Sequence, residues 1–420
     1  MNLKSINIRS LLSVLIFNLI AFAGYSQTIA QWRGVDRKGI YEATDLLKSW
    51  PAGGPQLEWS TDSIGNGYGS PAVTADRIYI TGEKDSIGYL YSFDLKGNLL
   101  WKSDYDKEWT RSFPGSRSTP TVTEDLVYVC SGFGNITCFE TKHGTKKWSV
   151  DLKKNLNGRY TFHGHSESPL IDGDNIFLVA GGADTNFVAL NRFTGKINWI
   201  CKGMGQIPAY NSPYLINLST RKILVTFSAY SLLGIDASTG ELLWVHEQDN
   251  YQPEERKPGV GDTHSNTIWY ENGFIYYIAG DGNCAVKLAL SPDGKQITQV
   301  WRNKQIDNFM GGFIKKDSVI YSTSNYLRQL LAIDSNTGEI SDSIKCGIGS
   351  VISDGNLLYY YNQKGQVNLI DPDPNNFRVI SSFTISKGTK EHFSHPVINN
   401  GNLYIRHGKT LMVYQVKDHF

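Results

Sequence analysis

Five of the nine histidines in this chain stand in three short stretches, "FHGHSES", "GDTHSN" and "EHFSHP". Together with Tyr68, Arg111, Arg117, Tyr210, Asn211 and Asp262 they offer the donors that an anionic or sugar-like ligand needs. The spacing His163-x-His165, joined by a histidine from elsewhere, also suits a transition metal. Cleavage of a glycosidic bond would need two carboxylates at a set separation, and no such pair can be placed. The residues taken as the ligand site are Arg117, His165, Glu167, Tyr210, His264 and His395. No catalytic residue and no metal site is assigned.

These residues are far apart in the chain, so a repeat must bring them together. "SPAVTADRIYI", "TPTVTEDLVYV", "SPLIDGDNIFL" and "SPYLINLSTRKILV" share a Ser/Thr-Pro start, alternating apolar positions and a polar turn. Weaker copies follow, and the common column falls at Pro71, Pro120, Pro169, Pro213, Thr267, Phe313, Val351 and Pro396, which makes eight units. A period of roughly 40–50 residues with four short strands per unit is the mark of a β-propeller. In the first unit the strands are expected at 71–74, 78–82, 90–94 and ending at Trp101. Each candidate site residue lies just before an inner strand, so a closed ring would set them around one channel mouth. The loops "KSDYDKEWTRSFPGSR" and "VHEQDNYQPEERKPGVGD" are longer than a hairpin requires, as functional loops often are.

The eighth unit stops one strand short, after "MVYQV". Leu57-Glu58-Trp59 matches the strand that ends other units, so residues 57–61 are expected to complete the C-terminal blade and leave no open edge. Trp101, Trp148, Trp199, Trp244 and Trp301 end five units, each after a glycine turn, and their expected work is packing rather than binding. "FETKHGTKKW", "LNRFTGKINW" and "IDASTGELLW" resemble the repeat of pyrroloquinoline-quinone-like (PQQ-like) propellers, the quinoprotein alcohol dehydrogenase-like proteins. The resemblance covers residues 57–416 and implies that each tryptophan docks on the neighbouring blade.

The same resemblance carries two functional expectations. Enzymes of this fold set a vicinal disulfide against the quinone and hold calcium with Glu, Asn and Asp beside an aspartate base; this chain has no Cys-Cys pair and no matching ligand run. The propeller lipoprotein of the outer-membrane assembly machinery is instead a noncatalytic eight-bladed scaffold, but no cysteine precedes Cys130 here to carry its lipid. The opening Gln31-Trp32-Arg33-Gly34 is similar to that of exported quinoprotein-like propellers. The expectation is therefore an exported, noncatalytic, all-β propeller that binds a small polar ligand, a glycan or a protein. The alternative is a PQQ-dependent oxidoreductase acting on alcohols or sugars, for which PQQ and calcium would be required.

The remaining sequence bounds the setting. Lys4 and Arg9 precede an apolar run from Leu11 to Ala23, too short for a span of roughly 20 residues, so residues 1–26 read as a signal peptide. Residues 27–420 then form one domain, with 27–56 an extension before the closing strand, in the periplasm or outside the cell. A net charge of +1 gives no field for nucleic acid, and no stable membrane insertion or oligomer is expected after cleavage. Among the five cysteines, Cys130 and Cys138 flank "SGFGN" and would face each other if a bulge adjusted the register.

Overall fold

Alternation of apolar and polar residues, broken by Gly, Asn and Asp, produces strands almost throughout the computed structural model, which describes residues 29–249, 251–282 and 284–418. The expected signal peptide, residues 1–26, lies outside the described residues. The strands form eight antiparallel sheets of four. Blades 1 to 7 are consecutive meanders spanning residues 72–107, 121–151, 170–201, 214–247, 269–303, 313–344 and 349–384. Blade 8 joins Val397–Asn399, Asn402–His407 and Thr410–Gln415 to Gln56–Thr61 from the other end of the chain. Gln56 faces Gln415 and Thr61 faces Leu411, with a bulge between Leu57 and Trp59. That pairing closes the ring and removes the open edge. No helix among the described residues is long and apolar enough to cross a membrane.

Blade 1 is longer than its sequence pattern suggests. Its strands are Ala72–Val73, Arg77–Lys84, Ile87–Asp94 and Leu99–Lys107, so the last continues well past Trp101. The cause is the turn between the second and third strands: Asp85 and Ser86 are both left-handed, at φ 53° and 69°. A two-residue turn of that hand matches strand twist and lets the hairpin run on.

Adjacent blades bury their apolar faces against each other; Ile223, Val225 and Phe227 of blade 4, for example, pack on Ile275, Tyr277 and Val286 of blade 5. At the outer edge each tryptophan reaches the next blade's turn. Trp59, Trp101, Trp148 and Trp199 donate from Nε1 to the carbonyls of Leu95, Thr141, Arg192 and Ala237 at 3.0, 2.9, 3.0 and 3.1 Å. Trp244 and Trp301 do the same to Gly294 and Ser335 at 3.2 and 3.1 Å. A glycine sits under most of these rings. Gly240 has φ 78°, and a Cβ there would lie 2.6 Å from Trp199.

Two seams lack the tryptophan. Asp342 occupies its place in blade 6, and Tyr321 bridges instead to the Pro372 carbonyl with its ring 5.3 Å from Phe377. Ser381 occupies the place in blade 7, and there the N-terminal extension substitutes. Trp50 donates its backbone N–H to Ser381 Oγ at 2.8 Å and sets its ring edge-on to Tyr359 and Phe383. Leu46 and Trp50 are buried in that seam.

The expected pairing of Cys130 with Cys138 does not occur. Cys130 faces Ile136 and Cys138 faces Tyr128 without an intervening bulge, and both thiols are free and buried. Trp244 is 7% exposed whereas Trp199 is only partly buried. Trp244→Ala should therefore cost about 3–5 kcal/mol, as for a buried large aromatic, and Trp199→Ala less. Urea unfolding of both variants checks the order; equal losses would mean that burial does not set the cost.

Candidate functional site at the channel mouth

A cavity of about 260 Å³ opens where the loops before the inner strands converge on the channel. Tyr68 and Ser70 come from blade 1, Phe113, Arg117 and Thr119 from blade 2, and His163, Ser166 and Ser168 from blade 3. Tyr210 and Ser212, Thr263 and Ser265, Phe309 and Met310, and Phe393 and His395 follow from blades 4, 5, 6 and 8. Trp32 of the N-terminal extension completes the lining.

The alternation of extended backbone decides who faces inward. Counting back from the repeat column, the first and third residues point into the cavity: Ser70 and Tyr68, Thr119 and Arg117, Ser168 and Ser166, Ser212 and Tyr210, His395 and Phe393. In blade 6 both Phe309 and Met310 line the cavity, but in these five blades side chains of the opposite parity point into the walls. His165 and Glu167 are of that parity, and their side chains meet each other in the wall at 3.0 Å, both 2% exposed. Glu167 Oε2 also accepts from the Val179 N–H at 2.9 Å. In blade 5 the alternation slips by one residue. Thr263 and Ser265 line the cavity, while His264 is turned away, its Nε2 at 3.0 Å from the carbonyls of Ala229 and Gly261. Of the six residues assigned from sequence, Arg117, Tyr210 and His395 thus line the cavity, and His165, Glu167 and His264 stand behind it.

The hydroxyls next to the column have a second role. Ser70 N–H donates to Thr119 Oγ1, Thr119 N–H to Ser168 Oγ, and Ser168 N–H to Ser212 Oγ, at 3.0, 3.0 and 2.9 Å. Ser70 Oγ donates to the His395 carbonyl at 2.7 Å. A belt of hydrogen bonds therefore ties blades 8, 1, 2, 3 and 4 around the mouth. The repeated Ser/Thr-Pro pair is explained by this: the hydroxyl caps a neighbouring N–H, and proline brings none of its own.

Beneath the cavity the extension crosses the channel. Ala30 pairs with Val122 of blade 2, and Ile40 with Ser353 of blade 7. Between them Arg33 and Arg37 are 2% and 1% exposed. Arg33 donates to the carbonyls of Val351, Lys38 and Phe313 at 2.9, 2.8 and 2.9 Å and to His395 Nδ1 at 3.0 Å. Arg37 donates to Gln31 Oε1 and the Ser168 carbonyl, both at 2.9 Å, and to the Pro169 carbonyl. Every acceptor is neutral. Burial lowers the two guanidinium pKa values to about 10 and about 9, which leaves both charged at neutral pH. The Gln-Trp-Arg-Gly motif, whose role the sequence alone did not disclose, is a cork that makes the cavity a blind cup.

The cup's histidines are held in fixed roles. Because Arg33 donates to Nδ1, His395 must carry its proton on Nε2, which donates to the Met310 carbonyl at 2.8 Å. Burial, then the Arg33 charge, pushes its pKa down to about 3. His163 Nδ1 lies 2.9 Å from Ser112 Oγ, and burial with the Arg117 charge lowers its pKa. In the wall, His165 is raised to about 10: the cost of burial is outweighed by Cys130 and Glu167 beside it. Tyr210 and Phe113 hold left-handed backbone, φ 71° and 48°, a strain that tends to gather at binding sites.

A calcium-bound quinone does not fit this donor set. The lining includes no Asp or Glu, and no cluster of three His, Cys, Asp or Glu suited to a metal occurs among the described residues. Calcium takes 6–8 oxygens, usually several of them carboxylate. Of the buried acids behind these loops, Glu108 accepts from Tyr105 and two backbone N–H groups, while Glu167 and Asp262 point into the wall and each keep one oxygen, Oε1 and Oδ1, without a hydrogen-bond partner.

Ring closure, the docked tryptophans and the axial cup define an eight-bladed propeller of the quinoprotein dehydrogenase and assembly-factor type. The family described as outer membrane protein assembly factor BamB matches residues 86–343, and the chain belongs to that family. A quinoprotein ethanol dehydrogenase of Pseudomonas putida is 25% identical over 157 residues, 34% of this chain and 24% of that one. An uncharacterized protein of Rickettsia conorii is 26% identical over 181 residues, 39% of this chain and 41% of that one. The match thus spans only about a quarter of the dehydrogenase. BamB from Moraxella catarrhalis superposes with a TM-score of 0.61 at 13% identity, over 87% of this chain and 98% of that one. A europium-containing methanol dehydrogenase gives 0.52 at 12%, over 93% and 92%. At these identities the structural likeness speaks for the fold alone.

The buried position of His264 makes a pH prediction. Burial lowers its pKa from 6.5 to about 4, so the folded protein keeps it neutral where the unfolded chain takes a proton. Stability must then fall as pH drops from 6.5 toward 4, by up to roughly 3 kcal/mol from this group. His264→Gln should flatten that slope in melting measurements between these pH values. An unchanged slope would mean that this imidazole is not the group responsible.

Proposed function

We propose that this is an exported, noncatalytic binding propeller whose axial cup takes a small polar ligand. The observation that carries the proposal is the chemistry of the lining. Side chains from seven blades and the cork converge on one blind cup, yet the lining has no carboxylate, lysine or cysteine. Of its two histidines, His395 has both nitrogens committed to Arg33 and Met310. His163 bonds Ser112 Oγ, outside the lining, and the lining's own hydroxyls make no hydrogen bond to an imidazole nitrogen among the described residues, which leaves them weak nucleophiles. Binding is what such a lining does well: aromatic walls give contact area, and fixed donors give orientation.

Export is proposed from the charged and apolar N-terminal pattern, Lys4 and Arg9 followed by Leu11 to Ala23. Phe113, Phe162 and Tyr326, exposed by 42, 61 and 79%, offer contact area for a glycan or a protein partner, which the family's assembly-factor description makes the first class to try. The quinone-dependent reading keeps one support, the dehydrogenase names of three matched relatives. Against it stands a donor set with no carboxylate for calcium.

The test sets the readings apart. The protein would be purified without its N-terminal 26 residues, incubated with PQQ and calcium, and assayed on alcohols and sugars with an artificial electron acceptor. No turnover is expected, and no quinone absorbance should survive desalting. Turnover that depends on added quinone would overturn the noncatalytic reading. A ligand found by screening should change tryptophan emission in the native protein and much less in Trp32→Phe.

A further inference from the structure

The cup's hydrogen bonding is one-sided. The oxygens of Thr119, Ser168 and Ser212 each accept a backbone N–H from the neighbouring blade, at 3.0, 3.0 and 2.9 Å. That leaves three O–H donors facing the cavity on side chains 1, 2 and 4% exposed, with no protein acceptor among the described residues. Arg117 spends three of its five N–H groups on the carbonyls of Gly115, Ser112 and Phe113, and two remain. Arg33 and Arg37 lie under the floor against neutral acceptors only. Glu167, which acts on Arg37 at longer range, is paired with His165. Acids also stand behind the walls, with Glu391 accepting from Tyr68 and with Glu167 Oε1 and Asp262 Oδ1 unpartnered, but the lining itself presents these hydroxyl donors and one guanidinium and no carboxylate. A carboxylate, which only accepts, finds several partners among these donors.

The walls add shape. Phe393 lies 5.5 Å from Tyr68 and 5.6 Å from Phe113, ring centre to ring centre, and His163 lies 6.0 Å from Tyr210. Trp32 meets His395 edge-on at 5.4 Å. At about 260 Å³ the cup falls just short of the roughly 300–1,000 Å³ usual for drug-sized ligands, which suits one or two fused rings.

We infer that the ligand is a planar aromatic monocarboxylate, its ring against these aromatic walls and its carboxylate on the hydroxyls of Thr119, Ser168 and Ser212 near Arg117. This rests on the proposed reading of the cup as a ligand site. Three features would act together: hydroxyl donors set by the blade belt, a positive floor set by the cork, and stacking partners set by the loops.

Calorimetric titration of the mature protein tests it with indole-3-carboxylate, its uncharged carboxamide and glucose. The acid should bind about tenfold or more tighter than the amide, a difference of about 1.4 kcal/mol, and glucose should not bind measurably. Arg117→Gln should shrink the acid's advantage; Ser212→Ala, checked by melting, gives the same readout if the first variant misfolds. Ser265→Phe, which fills the cup, should abolish both indoles' binding. Equal affinity for acid and amide, both lost in Ser265→Phe, would overturn the acid assignment and leave the cup a ligand site. Binding of glucose in preference would do likewise. Binding that survives Ser265→Phe, or none by any probe, would remove the cup as the site and the inference with it.

Discussion

Everything in this molecule depends on filling the seams between blades. A four-stranded sheet with an apolar face is not stable alone, so each blade needs a neighbour on both sides, and the ring needs every seam closed. The indole lying on a left-handed glycine is the recurring device. Gly97, Gly144, Gly195, Gly240 and Gly338 combine positive φ with a ring 2.4–2.9 Å from where a Cβ would stand, so two independent demands fix the residue. The six indole bonds to carbonyls of the next turn then set the rotation between blades rather than merely burying area.

The seams without tryptophan show the same constraint from the other side. Where blade 7 offers Ser381, the chain brings Trp50 from its N-terminal extension to the gap, and the closing strand Gln56–Thr61 follows a few residues later. The extension is thus one continuous fitting. It crosses the channel at Arg33 and Arg37, fills the seam between blades 7 and 8, and ends as the outer strand of blade 8. A guanidinium buried among carbonyls is costly to desolvate, but removing the pair would leave the carbonyls of Phe313, Val351, Ser168 and Pro169 without these partners. Cork and ring support each other for that reason.

Most of the fold could be read from the chain because its determinants are local and repeated. The Ser/Thr-Pro column, the glycine turn and the tryptophan recur in order, and the short eighth unit announced the closing strand. The site was half legible. The loops that line the cup can be named from spacing, and parity counted from the column separates Arg117, Tyr210 and His395, which line it, from His165 and Glu167, which do not. The slip at His264 could not be read, because it comes from a bonding pattern to Ala229 and Gly261 that sequence spacing does not record. Nor could the cork, since nothing local says that Arg33 will meet Phe313, Val351 and His395 across the ring.

Parity also separates what holds the ring from what is free to meet a ligand. Residues facing the wall are buried and bonded inside it, His165 to Glu167, Glu167 to the Val179 N–H and His264 to the Ala229 and Gly261 carbonyls, so changing them disturbs the blades. Residues three before the column, such as Tyr68, Arg117 and Tyr210, reach the cup from loops whose backbone is held by the belt. Thr119, Ser168 and Ser212 beside the column belong to both sets, since each oxygen accepts a neighbouring blade's N–H and each side chain lines the cavity.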